Sequence, residues 1–246
     1  GFLNEYKQIK SAIWCPGTGQ SGFEALGEII SGDVNPSGKT SDTFVKDLTK
    51  TPEYNNFGSF TYDNMADFSG KAFKGEDTYP SFVNYVDGIY VGYRFYETAA
   101  EEGLIDYDNT VVYPFGYGLS YTGFTQKMGA LTEADGKITF DVTVTNTGEV
   151  AGKDVVQVYY NPPYTNGGVE KASANLAAFK KTGLIKPGES ETITISFGTE
   201  DMASYDSTGT GGYVLDAGDY GISIRNDSHR IIEEQTMNVP LSLIHI

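Results

Sequence analysis

Four carboxylates, Asp87, Glu97, Glu101 and Glu102, stand in and beside an aromatic run that extends from Val83 to Tyr121. Two carboxyl groups about 5–5.5 Å apart can cleave a glycosidic bond with retention, one as nucleophile and the other as acid and then base. Aromatic faces beside them would be good platforms for sugar rings. Order along the chain does not say which acids meet in space, and the ordinary state of an acid is solvated or ion-paired. No catalytic residue is therefore assigned from these acids, and the substrate-binding residues stay unknown.

Other motifs invite chemistry and fall short. Gly17-Thr18-Gly19-Gln20-Ser21-Gly22 matches G-x-G-x-x-G between an apolar run and a helical pattern, with Asp42 where a ribose-binding acid would stand. The βαβαβ repeats that a dinucleotide fold needs do not follow, so a tight strand-to-helix turn is the better reading. Ser37-Gly38-Lys39-Thr40 ends like a phosphate loop, but Asp33 occupies the place of its first glycine and Pro36 precedes it. Gly19-Gln20-Ser21-Gly22-Phe23 misses a nucleophile elbow at its closing glycine. The histidines are His229, on the second half of the chain, and His245, in the tail, so a Ser-His-Asp site has no good base. That count also rules out a His-rich metal site, and one cysteine, Cys15, leaves neither an intrachain disulfide nor a Cys-based zinc site. No metal and no cofactor is called for. Cys15 lies in an apolar run and is expected to be buried. Asn226-Asp227-Ser228 is a glycosylation sequon, meaningful only in a eukaryotic secretory setting.

The formal charge of −16 comes from acids scattered along the chain, which reads as a solvated acidic surface. Nucleic acid and anionic membrane surfaces need clustered Lys and Arg and are disfavoured as partners. No apolar run approaches the roughly 18 residues of a membrane span. The chain begins without Met or a signal-like segment, and is expected to be a piece whose start lies elsewhere. The apolar ending, 241–246, fits no element before it and reads as a truncated or artefactual end.

Around these residues the chain divides into three stretches. In residues 1–60, Ser11 to Cys15 is predicted as a short buried strand, followed by the Gly-rich turn. A helix follows, with Ser21 as N-cap, Glu24 completing a capping box, Phe23, Leu26, Ile29 and Ile30 on one face, and Gly32 ending it. Thr40 to Val45 is a further short strand. Strand, turn and helix belong to an α/β sheet domain, of which this is the C-terminal part. Residues 46–82 read as a long polar excursion with little regular structure. Residues 61–124 form an aromatic-rich linker whose runs Gly88–Tyr96 and Tyr113–Tyr121 are too interrupted by glycine for a helix and too broken for regular strands. Such loops are normally held against something large. Tyr90, Tyr93, Arg94, Tyr96 and Tyr117 are its candidate interdomain contacts.

From residue 125 to 240 the period becomes two. Ile138, Phe140, Val142 and Val144 alternate with polar residues. Val156, Val158 and Tyr160, then Ile193, Ile195 and Phe197, then Tyr220, Ile222 and Ile224 repeat the pattern. Turns at Asn146-Thr147-Gly148, Lys186-Pro187-Gly188-Glu189 and Asp216-Ala217-Gly218-Asp219 separate the strands. The expectation is an all-β sandwich of fibronectin III or immunoglobulin type, without the Cys…Trp…Cys signature of an antibody domain.

Taken together these pieces resemble the C-terminal portion of a family 3 glycoside hydrolase of the β-glucosidase type. Pro16-Gly17 with its turn, and Gly32-Asp33-Val34-Asn35-Pro36-Ser37-Gly38-Lys39, resemble that family's close to its α/β sandwich domain. Asp87-Gly88-Ile89-Tyr90-Val91-Gly92-Tyr93-Arg94-Phe95-Tyr96 resembles its EGIYVGYRYY linker. Tyr113-Pro114-Phe115-Gly116-Tyr117-Gly118-Leu119-Ser120-Tyr121 resembles its FPFGYGLSYT signature, and the rest is similar to its fibronectin III-like domain. The match runs over about 11–235.

The resemblance implies a parent that is a retaining exo-acting β-glycosidase acting on terminal β-linked sugars of an oligosaccharide or aryl glycoside. The covered part would be structural and, alone, inactive. The family's nucleophile is an Asp in a Ser-Asp-Trp-like motif on a (β/α)8 barrel, and here the only Trp is Trp14, preceded by Ile13. Its acid/base Glu belongs to a segment expected upstream of Gly1. The missing barrel is thus an implied partner. The form Gly17-Thr18-Gly19-Gln20-Ser21-Gly22-Phe23 is more similar to members with reversed domain order, whose barrel would lie beyond residue 246. A bacterial source, with a cytoplasmic or secreted protein, is the expectation. The alternative is a non-catalytic carbohydrate-binding or adhesion module built on the sandwich.

Overall fold

The computed structural model of the chain describes residues 6–54, 56, 60–68, 70–71, 75, 77–78, 81–240 and 242–244. His245 therefore lies outside the described residues.

The sandwich is the organised part. The alternating residues expected from residue 125 onward form strands because each strand buries one face. One sheet orders as β11-β10-β15-β16, from β10 (Val155–Asn161), β11 (Asn175–Lys181), β15 (Gly218–Arg225) and β16 (Ile231–Val239). The other orders as β12-β9-β7, from β7 (Phe124–Met128), β9 (Lys137–Asn146) and β12 (Ser190–Gly198), with β8 (Thr132–Ala134) also paired to β9. Ile193, Ile195 and Phe197 lie opposite Val142, Phe140 and Ile138, while Val158 and Tyr160 lie opposite Ile224 and Ile222. These two inward faces make one core, in which Ile138, Val142, Val144, Val156, Val158, Ile222 and Ile224 are fully buried. Each such side chain contributes roughly 1.5–3 kcal/mol, so the sandwich can carry its own stability.

The segment Tyr213–Leu215 belongs elsewhere than its sequence neighbour. β14 (Gly212–Leu215) pairs with β13 (Ser204–Asp206) and with β17 (Ser242–Ile244) rather than with β15. Part of the apolar ending is thus paired to an earlier element, contrary to the expectation that it fits none.

The first stretch is organised differently from the expectation. Helix α1 (Gly22–Ser31) is present and ends at Gly32, whose φ of 87° is left-handed and whose N–H donates to the Ile29 carbonyl. Ser21 makes no capping bond, because its own φ and ψ are already helical. Ser11 to Cys15 is not a buried strand. It has no strand partner among the described residues, Ile13 and Trp14 are exposed, and Cys15 is exposed as well. A short apolar run becomes a buried strand only when neighbouring strands take up its backbone groups, and none do so here. α1 likewise has no buried residue, although its apolar face is present. β1 (Phe44–Val45) pairs with β6 (Val111–Tyr113).

Among its described residues, the polar excursion carries short elements alone. Short 3-10 turns, at Leu48–Lys50 and Met65–Phe68, accompany two-residue strands: β2 (Phe60–Thr61) pairs with β5 (Ser81–Phe82), and β3 (Gly70–Lys71) with β4 (Asp77–Thr78). The linker contains a helix that the glycine spacing argued against. α2 (Tyr93–Glu101) starts directly after Gly92, whose φ of 61° turns the chain into it, and is followed by α3 (Tyr107–Thr110). No glycine falls between Gly92 and Gly103, and the helical stretch includes Ala99 and Ala100, good helix formers.

Candidate functional site

The first stretch is tied to the linker by interlocked loops. The side-chain amide of Asn35 donates to the Ala151 carbonyl at 3.1 Å, and its oxygen accepts from Ser120 Oγ at 2.9 Å and the Tyr121 N–H at 2.8 Å. One side chain thus joins the end of the α/β stretch, the linker and the sandwich. Thr40 and Tyr117 exchange backbone bonds around it: Thr40 N–H donates to the Tyr117 carbonyl, Gly116 N–H to the Thr40 carbonyl, and Tyr117 N–H to Thr40 Oγ1. Lys39 Nζ donates to the Gly118 carbonyl at 3.2 Å and stands 3.7 Å from Asp154. The ammonium that could have met a phosphate is therefore engaged within the protein.

Glycine is required at this crossing. A Cβ at Gly118 would sit 2.2 Å from the Gly38 carbonyl oxygen, and one at Gly116, where φ is 81°, would sit 2.0 Å from Gln157 Oε1. Gln157 in turn donates to the carbonyls of Gly116 and Asn226.

The candidate contacts of the linker fall at distinct places. Tyr93 stacks on Phe115 at 4.7 Å and meets Tyr159 edge-on at 6.0 Å, while its hydroxyl accepts from the Leu176 N–H at 2.8 Å. Tyr96 is buried, which pushes its phenol up to about 12. Tyr90 donates to Glu170 on the sandwich, and burial followed by that bond raises its phenol. The Arg94 guanidinium lies 6.0 Å from the Tyr93 ring centroid, and its Nε has no hydrogen-bond partner among the described residues. Tyr117 is held through its backbone to Thr40, with its ring 5.2 Å from that of Tyr113.

Of the four acids, Glu97 is taken inside. It is 7% exposed, on the face of α2 that meets the turn between β15 and β16. Oε1 accepts from Tyr107 and from Ser228 Oγ, each at 2.8 Å, and Oε2 pairs with His229 Nδ1 at 2.8 Å. The Tyr107 and His229 rings stack at 3.6 Å, 7° from parallel. A serine, a histidine and a carboxylate do meet here, but they are wired against catalysis. Both the hydroxyl and the imidazole bond to the carboxylate, whereas a nucleophilic triad places the imidazole between the other two. Ser228 is also fully buried. Asp227, the other buried carboxylate among the described residues, accepts from the backbone N–H of His229 and Arg230 and from Arg230 Nη1.

Arg225 completes the cluster. It is buried over the Tyr159 ring, and donates to Ser223 Oγ, the Ser228 carbonyl and Asn161 Oδ1. Burial lowers its pKa, and the Glu97 charge opposes that. A shallow cavity of about 390 Å³ opens beside it, lined by Glu97, Glu101, Tyr107, Arg225 and His229 among others. Asn35, Arg225 and Ser228 were not singled out from the sequence as site residues. Asn35 carried a local signal, its place in Asn-Pro-Ser-Gly, and Ser228 one that pointed elsewhere, its place in the Asn226-Asp227-Ser228 sequon.

The geometry is that of a junction, and comparison with known proteins says of what. Residues 2–121 match the glycosyl hydrolase family 3 C-terminal domain, and residues 154–228 match the fibronectin type III-like domain. The chain belongs to glycosyl hydrolase family 3. It is 37% identical to beta-glucosidase A of Butyrivibrio fibrisolvens, over 96% of this chain and 29% of that protein. A beta-glucosidase of Ruminococcus albus is 32% identical over 95% of this chain and 23% of its own length. The structure of beta-glucosidase 3B from Thermotoga neapolitana in complex with alpha-D-glucose superposes with a TM-score of 0.71 at 32% identity, covering 92% of this chain and 28% of that one. A beta-glucosidase from Paenibacillus barengoltzii gives 0.70 at 36%, covering 89% and 21%. This family 3 chain thus spans less than a third of each of these relatives. Its two matched domains meet along α2, where Tyr93, Glu97 and Thr98 bond Leu176, Ser228 with His229, and Ser173, while the crossing of Gly38 and Gly118 lies within the first of them.

Proposed function

We propose that this chain is the structural, interdomain part of a retaining exo-acting β-glycosidase that hydrolyses terminal β-linked sugars of an oligosaccharide or aryl glycoside. In the longer protein a (β/α)8 barrel supplies the Asp nucleophile, and a Glu from a part of the α/β sandwich domain upstream of Gly1 supplies the acid/base. The observation that carries this reading is that relatives called beta-glucosidases match it across both of its domains, yet over only 29% and 23% of their length. The buried carboxylates support it, since Glu97 and Asp227 are both taken up by internal hydrogen bonds.

In this reading residues 1–60 close an α/β sandwich domain, 61–124 strap it, and 125–240 form the buttress. Tyr90, Tyr93, Arg94, Tyr96 and Tyr117 hold the strap between them. No sugar-binding role is assigned to the sandwich. The test is turnover of an aryl β-glucoside by this chain alone. The expected rate is that of buffer, and enzyme-dependent release that survives repurification would overturn the structural assignment.

A further inference from the structure

We propose that the His229–Glu97 pair is a protonation-sensitive clasp that fastens α2 to the sandwich, tight while the imidazole is charged and looser once it is neutral. Helix α2 meets the β15–β16 turn at the buried carboxylate of Glu97, whose bonds come from α3 and from that turn. Two of its partners, Tyr107 and Ser228, keep their hydroxyls through the neutral range, and Arg225, which lines the same cavity, keeps its charge. His229 is the one that changes. Its side chain is 39% exposed while that of Glu97 is 6% exposed, so a proton can reach the imidazole without the helix moving.

The charges that face His229 come from every element around it. Glu97 is on α2, and Glu101 lines the same cavity. Tyr107 and Asp108 are on α3, and Asp227 and Arg230 are in its own turn, bonded to each other. Arg225 on β15 is the opposing cation. Acids dominate, and the bond to Glu97 leads the causes that raise the imidazole above its ordinary value of 6.5.

The sign follows. A raised histidine contributes its full stabilisation below about 6.5 and loses it as pH rises through the value in the folded protein. Above that, a neutral Nδ1–H can still donate to Glu97, but the carboxylate is left buried without its adjacent cation, which is the costly state. The clasp is therefore tight below about pH 6.5 and loosens as pH rises through the value in the folded protein.

The chain has two histidines, so ring-proton NMR of the whole chain can follow both. His229 is expected to titrate above 6.5 and to fall back in Glu97→Gln. Hydrogen exchange of α2 amides, corrected for intrinsic base catalysis and referenced to β9, should speed up by about tenfold for each unit of that rise. In His229→Gln the referenced exchange should be the same at pH 6 and pH 9. A His229 that titrates at or below 6.5, or α2 protection unchanged across the wild-type titration, would overturn the clasp. Both overturning readings come from the unmutated chain, so a variant that fails to fold does not shelter the proposal.

Discussion

Gly118 crosses Gly38 so closely that a Cβ on the former would lie 2.2 Å from the carbonyl oxygen of the latter. The two residues are far apart in sequence, one in the matched end of the α/β stretch and the other in the aromatic linker. Their contact lets Lys39 reach the Gly118 carbonyl and lets Thr40 exchange backbone bonds with Gly116 and Tyr117. Gly118→Ala should therefore force the two backbones apart. The expected cost is about 1–3 kcal/mol, read by urea denaturation. Equal midpoints for wild type and variant would show that the crossing gives way without cost.

Asn146 explains the turn Asn146-Thr147-Gly148 that the sequence flagged. It is fully buried; its amide donates to the Val150 and Ile185 carbonyls, and its oxygen accepts from Thr122 Oγ1 and the Gly148 N–H. Asn146→Ala leaves two carbonyls and two donors without this partner. The expected loss is about 3 kcal/mol, measured as a lowered denaturation midpoint with unchanged slope. A loss under about 0.5 kcal/mol would mean that water replaces the side chain.

Tyr93 combines ring stacking on Phe115 with acceptance of the Leu176 N–H. The two roles separate by substitution. Tyr93→Phe should cost about 1 kcal/mol, the worth of one hydrogen bond. Tyr93→Ala should cost about 3–5 kcal/mol, because it also opens a cavity. If both variants cost the same, the ring is not what holds α2 against the sandwich.

The halves of the chain should differ in resistance to protease. α1 has no buried residue, and Phe23 and Ile30 are each 69% exposed, whereas the sandwich has a closed core. Limited proteolysis should leave a stable piece from about residue 122 to 240. Uniform resistance from the first residues would mean that the α/β end is stable without further sheet.

What the sequence disclosed depended on how local the cause was. β9 and β12 were legible because Ile138, Phe140, Val142 and Val144, and their partners on β12, each bury alternate faces against one core. α1 and its Gly32 stop were legible from a one-face apolar pattern and a left-handed residue. α2 was not, since the glycines before residue 93 masked a helix whose burial comes from Phe115, Tyr159 and the β15–β16 turn. Ser11 to Cys15 had the composition of a buried strand, but no strand among the described residues pairs with it. The role of Glu97 was out of reach for a different reason: its partners Ser228 and His229 lie 131 and 132 positions away. Only the fold brings them together.

The central claim is that this family 3 chain is the non-catalytic, interdomain part of a longer β-glycosidase. Reading the encoding DNA on both sides of the frame tests it most directly. The account predicts an in-frame (β/α)8 barrel with a Ser-Asp-Trp-like nucleophile motif on one side, and the side fixes the domain order. Start and stop codons bounding the frame closely, with no barrel, would contradict it and leave a standalone protein.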